Sequence, residues 1–180
     1  MDKSSFRAEQ IIRLEDFFQT AKSRTETDEL LVKISQSPIF QSATSVGISL
    51  NDDLQLPINQ LVRQLRDLGK DVYLARPTKR NQLDFILWPA EINIPKSVAE
   101  LNQFNDNVVN NRLDLIVAPG MAFSQKGHYR VGVGEGNFDF FLNRYQTKTV
   151  GIAYSKMLFE EPEWDISMLD VPVDEIITVG

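Results

Sequence analysis

The sequence predicts an α/β fold, namely a single three-layer domain in which a mostly parallel sheet is flanked by helices. Short apolar runs alternate along the chain with segments whose apolar residues recur at helical spacing. That alternation is typical of parallel sheets covered on both faces. The 180 residues include 42% hydrophobic and 24% charged ones, which is an ordinary globular composition. Because the chain shows neither an internal repeat nor an evident linker, we expect one domain spanning residues 1–180.

Two helices are predicted in the first part of the chain. Ser4 and Ser5 can cap the start of the first helix. Its apolar stripe consists of Phe6, Ile11, Leu14, Phe17 and Phe18. A second helix is predicted to begin at Thr25, because Asp28 follows three residues later as in an approximate capping box.

The rest of the chain predicts strands with two further helices between them. Pro57 can begin a helix that Gly69 ends, and a helical pattern covers residues 138–145. Strands are predicted at residues 45–50, 71–75, 83–88, 113–118, 149–154 and 175–179. The polar segment 89–111 carries no clear pattern.

Composition excludes several classes of function. With no cysteine, a thiol nucleophile, a zinc knuckle and an iron–sulfur cluster are excluded, and the single histidine, His128, excludes multi-histidine metal centres. A formal charge of −6 argues against general nucleic-acid binding. No apolar run approaches the ~18 residues of a membrane helix. We therefore expect a cytoplasmic monomer that binds small molecules and neither nucleic acid nor membrane.

A glycine-rich segment is the strongest candidate for a functional site. It contains the alternating glycines Gly132, Gly134 and Gly136. A helical pattern with Asn137 and Asp139 near its beginning follows, so backbone amides and a helix N-terminus could bind an anion. Lys126 and Arg130 could supply positive charge, and Asp139 could hold a magnesium ion or cap the helix. The spacing is neither that of a Rossmann fingerprint nor that of a P-loop, so a plain glycine-rich turn remains open.

The longer pattern resembles the signature of 5-formyltetrahydrofolate cyclo-ligases (5,10-methenyltetrahydrofolate synthetases). That signature is a strand Asp-Leu-Ile, then Pro-Gly-x-x-Phe, Lys-Gly and Arg-x-Gly-x-Gly-x-Gly-Tyr-Tyr-Asp. The matching residues are Asp114, Leu115, Ile116, Pro119, Gly120, Phe123, Lys126, Gly127, Arg130, Gly132, Gly134, Gly136 and Asp139. Lys3 and Arg7 match the family's Lys-x-x-x-Arg pair, and residues 170–178 are similar to the family's ending.

The resemblance implies a reaction that depends on ATP and Mg²⁺. ATP phosphorylates the formyl oxygen of 5-formyltetrahydrofolate, the neighbouring amine closes the ring, and phosphate leaves to give 5,10-methenyltetrahydrofolate. It assigns Arg130 a catalytic role and Asp139 the metal. The implied ATP-binding residues are Lys3, Arg7, Arg130, Gly132, Gly134, Glu135, Gly136, Asn137, Phe138 and Asp139. The implied substrate-binding residues are Asp53, Arg76 and Phe138, although Arg76 could equally be a surface residue.

Several residues depart from the family pattern within the signature. Glu135 places a carboxylate beside the expected phosphates, Asn137 and Phe138 replace the tyrosine pair, and Phe140 replaces a frequent arginine. Asp53 stands where the family has a longer glutamate. These departures favour an alternative, a non-catalytic relative that binds folate or nucleotide without turnover. A dinucleotide oxidoreductase is disfavoured by the glycine spacing.

Overall fold

The computed structural model describes residues 1–50, 54–79, 82–104, 108–134 and 136–180. Its helices are α1 (Lys3–Phe18), α2 (Ala21–Gln36), α3 (Pro38–Ser42), α4 (Ile58–Asp67), α5 (Val98–Asn102) and α6 (Asn137–Arg144). Its strands are β1 (Ser45–Ile48), β2 (Asp71–Pro77), β3 (Leu83–Leu87), β4 (Leu115–Val117), β5 (Ala122–Ser124), β6 (Arg130–Val131), β7 (Thr149–Ala153), β8 (Leu158–Phe159) and β9 (Glu175–Thr178). A short 3₁₀ helix spans Ser155–Met157.

The central sheet is mostly parallel, as predicted. Its strand order is β3-β2-β1-β4-β7-β9. The neighbouring pairs from β2 to β9 are parallel, and β3 alone among these strands runs antiparallel to its neighbour β2. Each predicted strand segment overlaps one strand of this sheet, and β2 extends two residues beyond its predicted end at residue 75. The α/β fold class is therefore confirmed.

Both faces of the sheet are buried, as the side-chain alternation along β2 shows. Val72 and Leu74 belong to a large core cluster with α1, α2 and α4, whereas Tyr73 and Ala75 belong to a smaller cluster with α6. Successive side chains of a strand point to opposite faces, so these two clusters lie on the two sides of the sheet. Helices thus flank the sheet in three layers.

The starts of the first two helices differ from the sequence prediction. The N-cap of α1 is Asp2, whose carboxylate accepts hydrogen bonds from the backbone N–H of Ser4 and of Ser5 at 2.9 and 3.0 Å. Helix α2 begins at Ala21 with Thr20 as its N-cap, so the predicted start at Thr25 is wrong. The hydroxyl of Thr25 donates instead to the carbonyl of Ala21 inside the helix. An N-cap needs only one side-chain oxygen near free amides, and several nearby hydroxyls satisfied that pattern.

A second, smaller sheet was not predicted. It has the strand order β6-β5-β8, with β5 antiparallel to β6 and parallel to β8. This sheet brings Arg130 beside the carboxyl end of β4.

In the part of the chain that the structure describes, no helix is long and apolar enough to cross a membrane.

Candidate active site

A cavity of about 910 Å³ opens at the carboxyl ends of the central strands. Ser49 and Leu50 follow β1, Pro119 follows β4, and Pro77 ends β2, and all four line the cavity. Ligands of open α/β sheets bind in the crevice outside these strand ends. The glycine-rich segment, α1 and residues 167–170 complete the walls. The cavity therefore has the position expected of a ligand site.

Arg130 is the buried centre of the cavity's polar side. Its side chain is only 3% exposed. Nη1 donates to the carbonyl oxygen of Pro119 at 2.9 Å, and Nη2 donates to Oδ1 of Asp139 at 3.2 Å. Burial lowers the pKa of the guanidinium, and the carboxylates of Asp139 and Asp170 oppose that shift. Because arginine is not deprotonated in proteins, Arg130 supplies a fixed positive charge in a poorly solvated position.

Asp139 and Asp170 place two carboxylates on the same cavity wall. Asp139 lies in the first turn of α6, and its Oδ1 also accepts the backbone N–H of Val171 at 3.1 Å. Asp170 accepts both from Nζ of Lys3 and from the backbone N–H of Ser167. The described residues contain no group of three or more His, Cys, Asp or Glu side chains suited to a metal. Two carboxylates without a full protein cage fit Mg²⁺, which takes its other ligands from phosphates and water.

Helix α1 brings two cations to the glycine-rich segment. Lys3 and Arg7 are four residues apart, so they share one face of the helix. Lys3 pairs with Asp170, and Nε of Arg7 donates to the carbonyl oxygen of Gly132 at 2.8 Å. The start of α1 is therefore attached to both the glycine-rich segment and the C-terminal segment.

Glycine is favoured at positions 132, 134 and 136 for different structural reasons. A Cβ at Gly132 would lie 2.9 Å from Nη1 of Arg130, so a side chain there would displace the guanidinium. Gly134 has φ 122° and lies against the Arg7 guanidinium, where a Cβ would be 3.6 Å away. Gly136 has φ 69° and is the N-cap of α6. Positive φ angles favour glycine, which explains two of the three positions.

The other side of the cavity is largely apolar. It is lined by Leu50, Ala75, Pro77, Leu83, Val98 and Phe138. Phe138 is half-buried and packs edge-on against Phe85, with the two ring centroids 6.1 Å apart. The guanidinium carbon of Arg130 is 5.9 Å from the centroid of the Phe138 ring. Phe138 therefore stands where the charged and apolar sides of the cavity meet.

Comparison with known proteins decides the family. The sequence model described as the 5-formyltetrahydrofolate cyclo-ligase family matches residues 1–179. The chain belongs to the 5-formyltetrahydrofolate cyclo-ligase family. The 5-formyltetrahydrofolate cyclo-ligase of Escherichia coli (strain K12) is 30% identical over 143 residues, which cover 73% of this chain and 78% of the relative. The resemblance given by the sequence signature is confirmed, and with it the assignment to a family of ligases.

Two solved structures share the fold. The 5,10-methenyltetrahydrofolate synthetase of Mycoplasma pneumoniae superposes with a TM-score of 0.72 at 18% identity and covers 98% of both chains. The NMR structure of the Aquifex aeolicus 5,10-methenyltetrahydrofolate synthetase has a TM-score of 0.76 at 24% identity, over 99% of this chain and 90% of that one. The cyclo-ligase-family fold therefore extends over nearly the whole chain.

Most of the residues that the sequence singled out lie together in the cavity. These are Lys3, Arg7, Arg130, Gly132, Gly134, Gly136, Asn137, Phe138 and Asp139. Two others, Asp53 and Glu135, lie outside the described residues. Lys126 is exposed and pairs with Glu160 and Glu161 away from the cavity.

Arg76 is not brought to the cavity. Its Nε and Nη2 donate to the two carboxylate oxygens of Asp84 at 3.1 and 3.0 Å. The adjacent residues Ala75 and Pro77 line the cavity instead, because alternate residues of β2 point to opposite sides. The structure thus gives Arg76 a cross-strand partner.

Besides Arg144, Asp170 is a charged residue of the cavity that sequence analysis did not single out. It lies in the C-terminal run 170–178 that is similar to the family's ending, so the signal was present in the sequence. Its pairing with Lys3 joins residues 167 positions apart. No local pattern predicts a contact of that range.

Proposed function

We propose that this chain is a 5-formyltetrahydrofolate cyclo-ligase that uses ATP and Mg²⁺ to form 5,10-methenyltetrahydrofolate. The observation that carries the proposal is the two-sided cavity. Three cations and two carboxylates stand on one side, and the apolar surface around Phe138 stands on the other. A polyphosphate and a reduced pterin ring need these two kinds of surface, side by side.

The cations would hold the triphosphate. The net charge of −6 means that the field of the whole protein repels an anion, so binding must depend on local charge. Lys3 and Arg7 approach the glycine-rich segment from α1, and the backbone amides of Gly132, Gly134 and Gly136 would supply further donors. These residues would orient the γ-phosphate towards the formyl oxygen.

Arg130 would neutralise charge on the phosphoryl group during its transfer. Its guanidinium is fixed at two points, by Pro119 and Asp139, so no reorientation is needed as charge develops. Asp139 and Asp170 would hold the Mg²⁺ ion, which when bound neutralises phosphate oxygens. The formyl oxygen takes the phosphoryl group from ATP, the neighbouring amine attacks the activated carbon, and phosphate leaves with that oxygen. No nucleophile from the protein is required.

The apolar side would bind the reduced folate. Leu83, Pro77 and Phe138 offer a surface on which a pterin ring can pack, beside the charged side of the cavity.

We also propose that residues 1–180 act as one domain, because Lys3 and Asp170 build this one cavity from distant parts of the chain. We further propose that the enzyme works as a monomer in the cytoplasm.

The first experiment is a direct assay with 5-formyltetrahydrofolate, ATP and Mg²⁺ that follows the absorbance of the methenyl product. Product should require both ATP and Mg²⁺. Arg130→Ala and Asp139→Ala should each lower kcat by about 100-fold or more, since each removes a preorganised charge. Lys126→Ala is the control, because that lysine is exposed outside the cavity, and its kinetic constants should not change.

Binding without turnover is the second candidate function. Asn137 and Phe138 line the cavity where the family pattern has two tyrosines, and the exposed ring of Phe140 lines it where an arginine is frequent. A folded protein that binds ATP or the folate in calorimetry, yet forms no product in the assay, would establish this candidate. Product formed equally well without ATP would contradict both.

A further inference from the structure

Arg144 differs from the other cations of the cavity in having no acidic or carbonyl partner among the described residues. Four basic side chains line the cavity there: Lys3, Arg7, Arg130 and Arg144. The first three are held by Asp170, by the carbonyl of Gly132, and by Asp139 with Pro119, respectively. The guanidinium of Arg144 is exposed and rests against the ring of Tyr145, 5.3 Å from its centroid. It is therefore available to an anionic group of a ligand.

Helix α6 places Arg144 away from the phosphate-binding residues. Arg144 is the last residue of α6 and Asp139 lies in its first turn, so their Cα atoms are about 7.5 Å apart along the axis at 1.5 Å per residue. A ligand reaching both residues must extend along the helix. Arg144 thus lies at the opposite end of α6 from the glycine-rich segment.

Arg144 also lies on the flank of α6 that faces β3. It follows Phe141 by three residues, and residues three apart share a helix face. The Phe141 ring packs against Phe85 of β3, with centroids 5.1 Å apart. Asn143 lies on the other flank, where its Nδ2 donates to the carbonyl of Leu169 at 2.9 Å. Arg144 is consequently at the edge of the α6 face that packs on β3, where it lines the cavity.

A reduced folate has its negative charges at the end opposite its pterin. If the formyl group is next to Arg130 and the ring packs near Phe138, the aminobenzoyl group runs along the apolar side and the glutamate carboxylates lie near the C-terminal end of α6. A guanidinium binds a carboxylate through two parallel hydrogen bonds, and an aromatic ring behind it limits its motion. We propose that Arg144 binds the glutamate carboxylates of the folate and determines specificity for the substrate's tail. This inference rests on the proposed function.

The test compares Arg144→Gln with the unaltered full-length protein in equilibrium binding to three probes. They are 5-formyltetrahydrofolate with one glutamate, the same folate with three glutamates, and 5-formyltetrahydropterin, which lacks the aminobenzoyl-glutamate tail. The variant should bind the monoglutamate about threefold to fivefold less tightly, as expected for an exposed ion pair, and the triglutamate with at least that loss. Binding of the tailless pterin and of ATP should not change.

Two further variants separate a tail-binding role from a general effect of charge. Arg144→Lys keeps the charge without the planar fork, so it should recover part of the affinity for the monoglutamate. Arg63→Gln removes an exposed arginine of α4 that does not line the cavity, and it should bind all probes normally. At about 0.5 M KCl the difference between Arg144→Gln and the unaltered protein should shrink, because salt screens exposed charges.

Several outcomes would overturn the inference. Unchanged affinity of Arg144→Gln for both folates would make Arg144 a solvated helix-end residue. An equal loss for the tailless pterin, or a loss for ATP alone, would assign it to another part of the ligand. Normal tail-dependent binding in a protein without turnover would refute the ligase proposal and support this inference. A protein that binds none of the folates would overturn both.

Discussion

At the scale of single residues, the position of the Arg130 guanidinium depends on the lack of a side chain at residue 132. Nη1 of Arg130 donates to the Pro119 carbonyl, and a Cβ on Gly132 would come within 2.9 Å of that same nitrogen. The backbone of Gly132 has none of the positive φ angles found at Gly134 and Gly136. Alanine at 132 would therefore act through Arg130 rather than through backbone strain.

We expect Gly132→Ala to lower kcat by about 10- to 100-fold, since a displacement of a catalytic group by about 1 Å can cost that much and we propose that role for Arg130. Steady-state kinetics of the purified variant would measure it. Gly69→Ala is the control, because Gly69 has φ 75°, has open space around it and lies outside the cavity. That variant should lose about 1 kcal/mol of stability and keep its kcat. Full activity of Gly132→Ala would show that the Arg130 position is not critical.

The residue scale is also where sequence prediction reached its limit. The signature from Pro119 to Asp139 identified Arg130, Asp139 and the glycines between them, all of which line the cavity. Each of these residues carries its own signal in the sequence, either as a glycine that lets the backbone approach a ligand or as a charge. The pairing of Arg76 with Asp84 depends on the register between β2 and β3, in which these two residues are opposite each other. Register is set by the packing of whole strands, so the sequence alone could not assign that arginine its partner.

At the scale of elements, α1 is fixed to the body of the protein by Phe6. Phe6 is buried, and its ring lies 4.9 Å from that of Trp164 and 5.5 Å from that of Phe159, centroid to centroid. Lys3 and Arg7 are within one helical turn of it. The aromatic cluster therefore positions the two cations that we assign to the triphosphate.

We expect Phe6→Ala to lower the free energy of unfolding by about 3–5 kcal/mol, because it leaves a cavity in the aromatic cluster. Variants that remain folded at low temperature should also bind ATP more weakly, since the start of α1 loses its anchor. Denaturant unfolding and calorimetry would measure the two effects. Ile12→Ala on the same helix is the control, because Ile12 is 62% exposed and should change neither quantity. If the folded Phe6→Ala variant binds ATP as tightly as the unaltered protein, the aromatic cluster does not position the residues that bind ATP.

Element length explains which parts of the fold were predictable. Most of the central strands and α4 are long enough for an apolar pattern, and they lie at the expected segments. The strands β6 and β8 have two residues each, too few for any periodicity, and they form only because β5 offers them an edge. The small sheet that carries Arg130 is thus a tertiary feature that the sequence pattern does not contain.

At the scale of the whole molecule, the site joins parts of the chain that are far apart in sequence. Lys3 and Arg7 come from α1, the glycine-rich segment precedes α6, and Asp170 precedes β9. The family signature could therefore supply the residue types. These residues come together at one cavity because β1 pairs with β4 and β4 pairs with β7 in the central sheet. A ligand that contacts all of these segments is bound only by the fully folded chain.

Ligand binding should consequently stabilise the whole fold. At a concentration of about 100 times its Kd, ATP with Mg²⁺ should add about 2.7 kcal/mol, which is a rise in Tm of about 5–10 °C for a chain of this length. The folate should produce a comparable rise at its own saturating concentration. Arg7→Met should reduce the rise caused by ATP and leave that caused by the folate, because Arg7 lies on the charged side of the cavity. Thermal unfolding followed by circular dichroism would measure both. If Arg7→Met abolishes the folate shift as well, the charged and apolar sides do not bind separate ligands, and the assignment of the two surfaces fails.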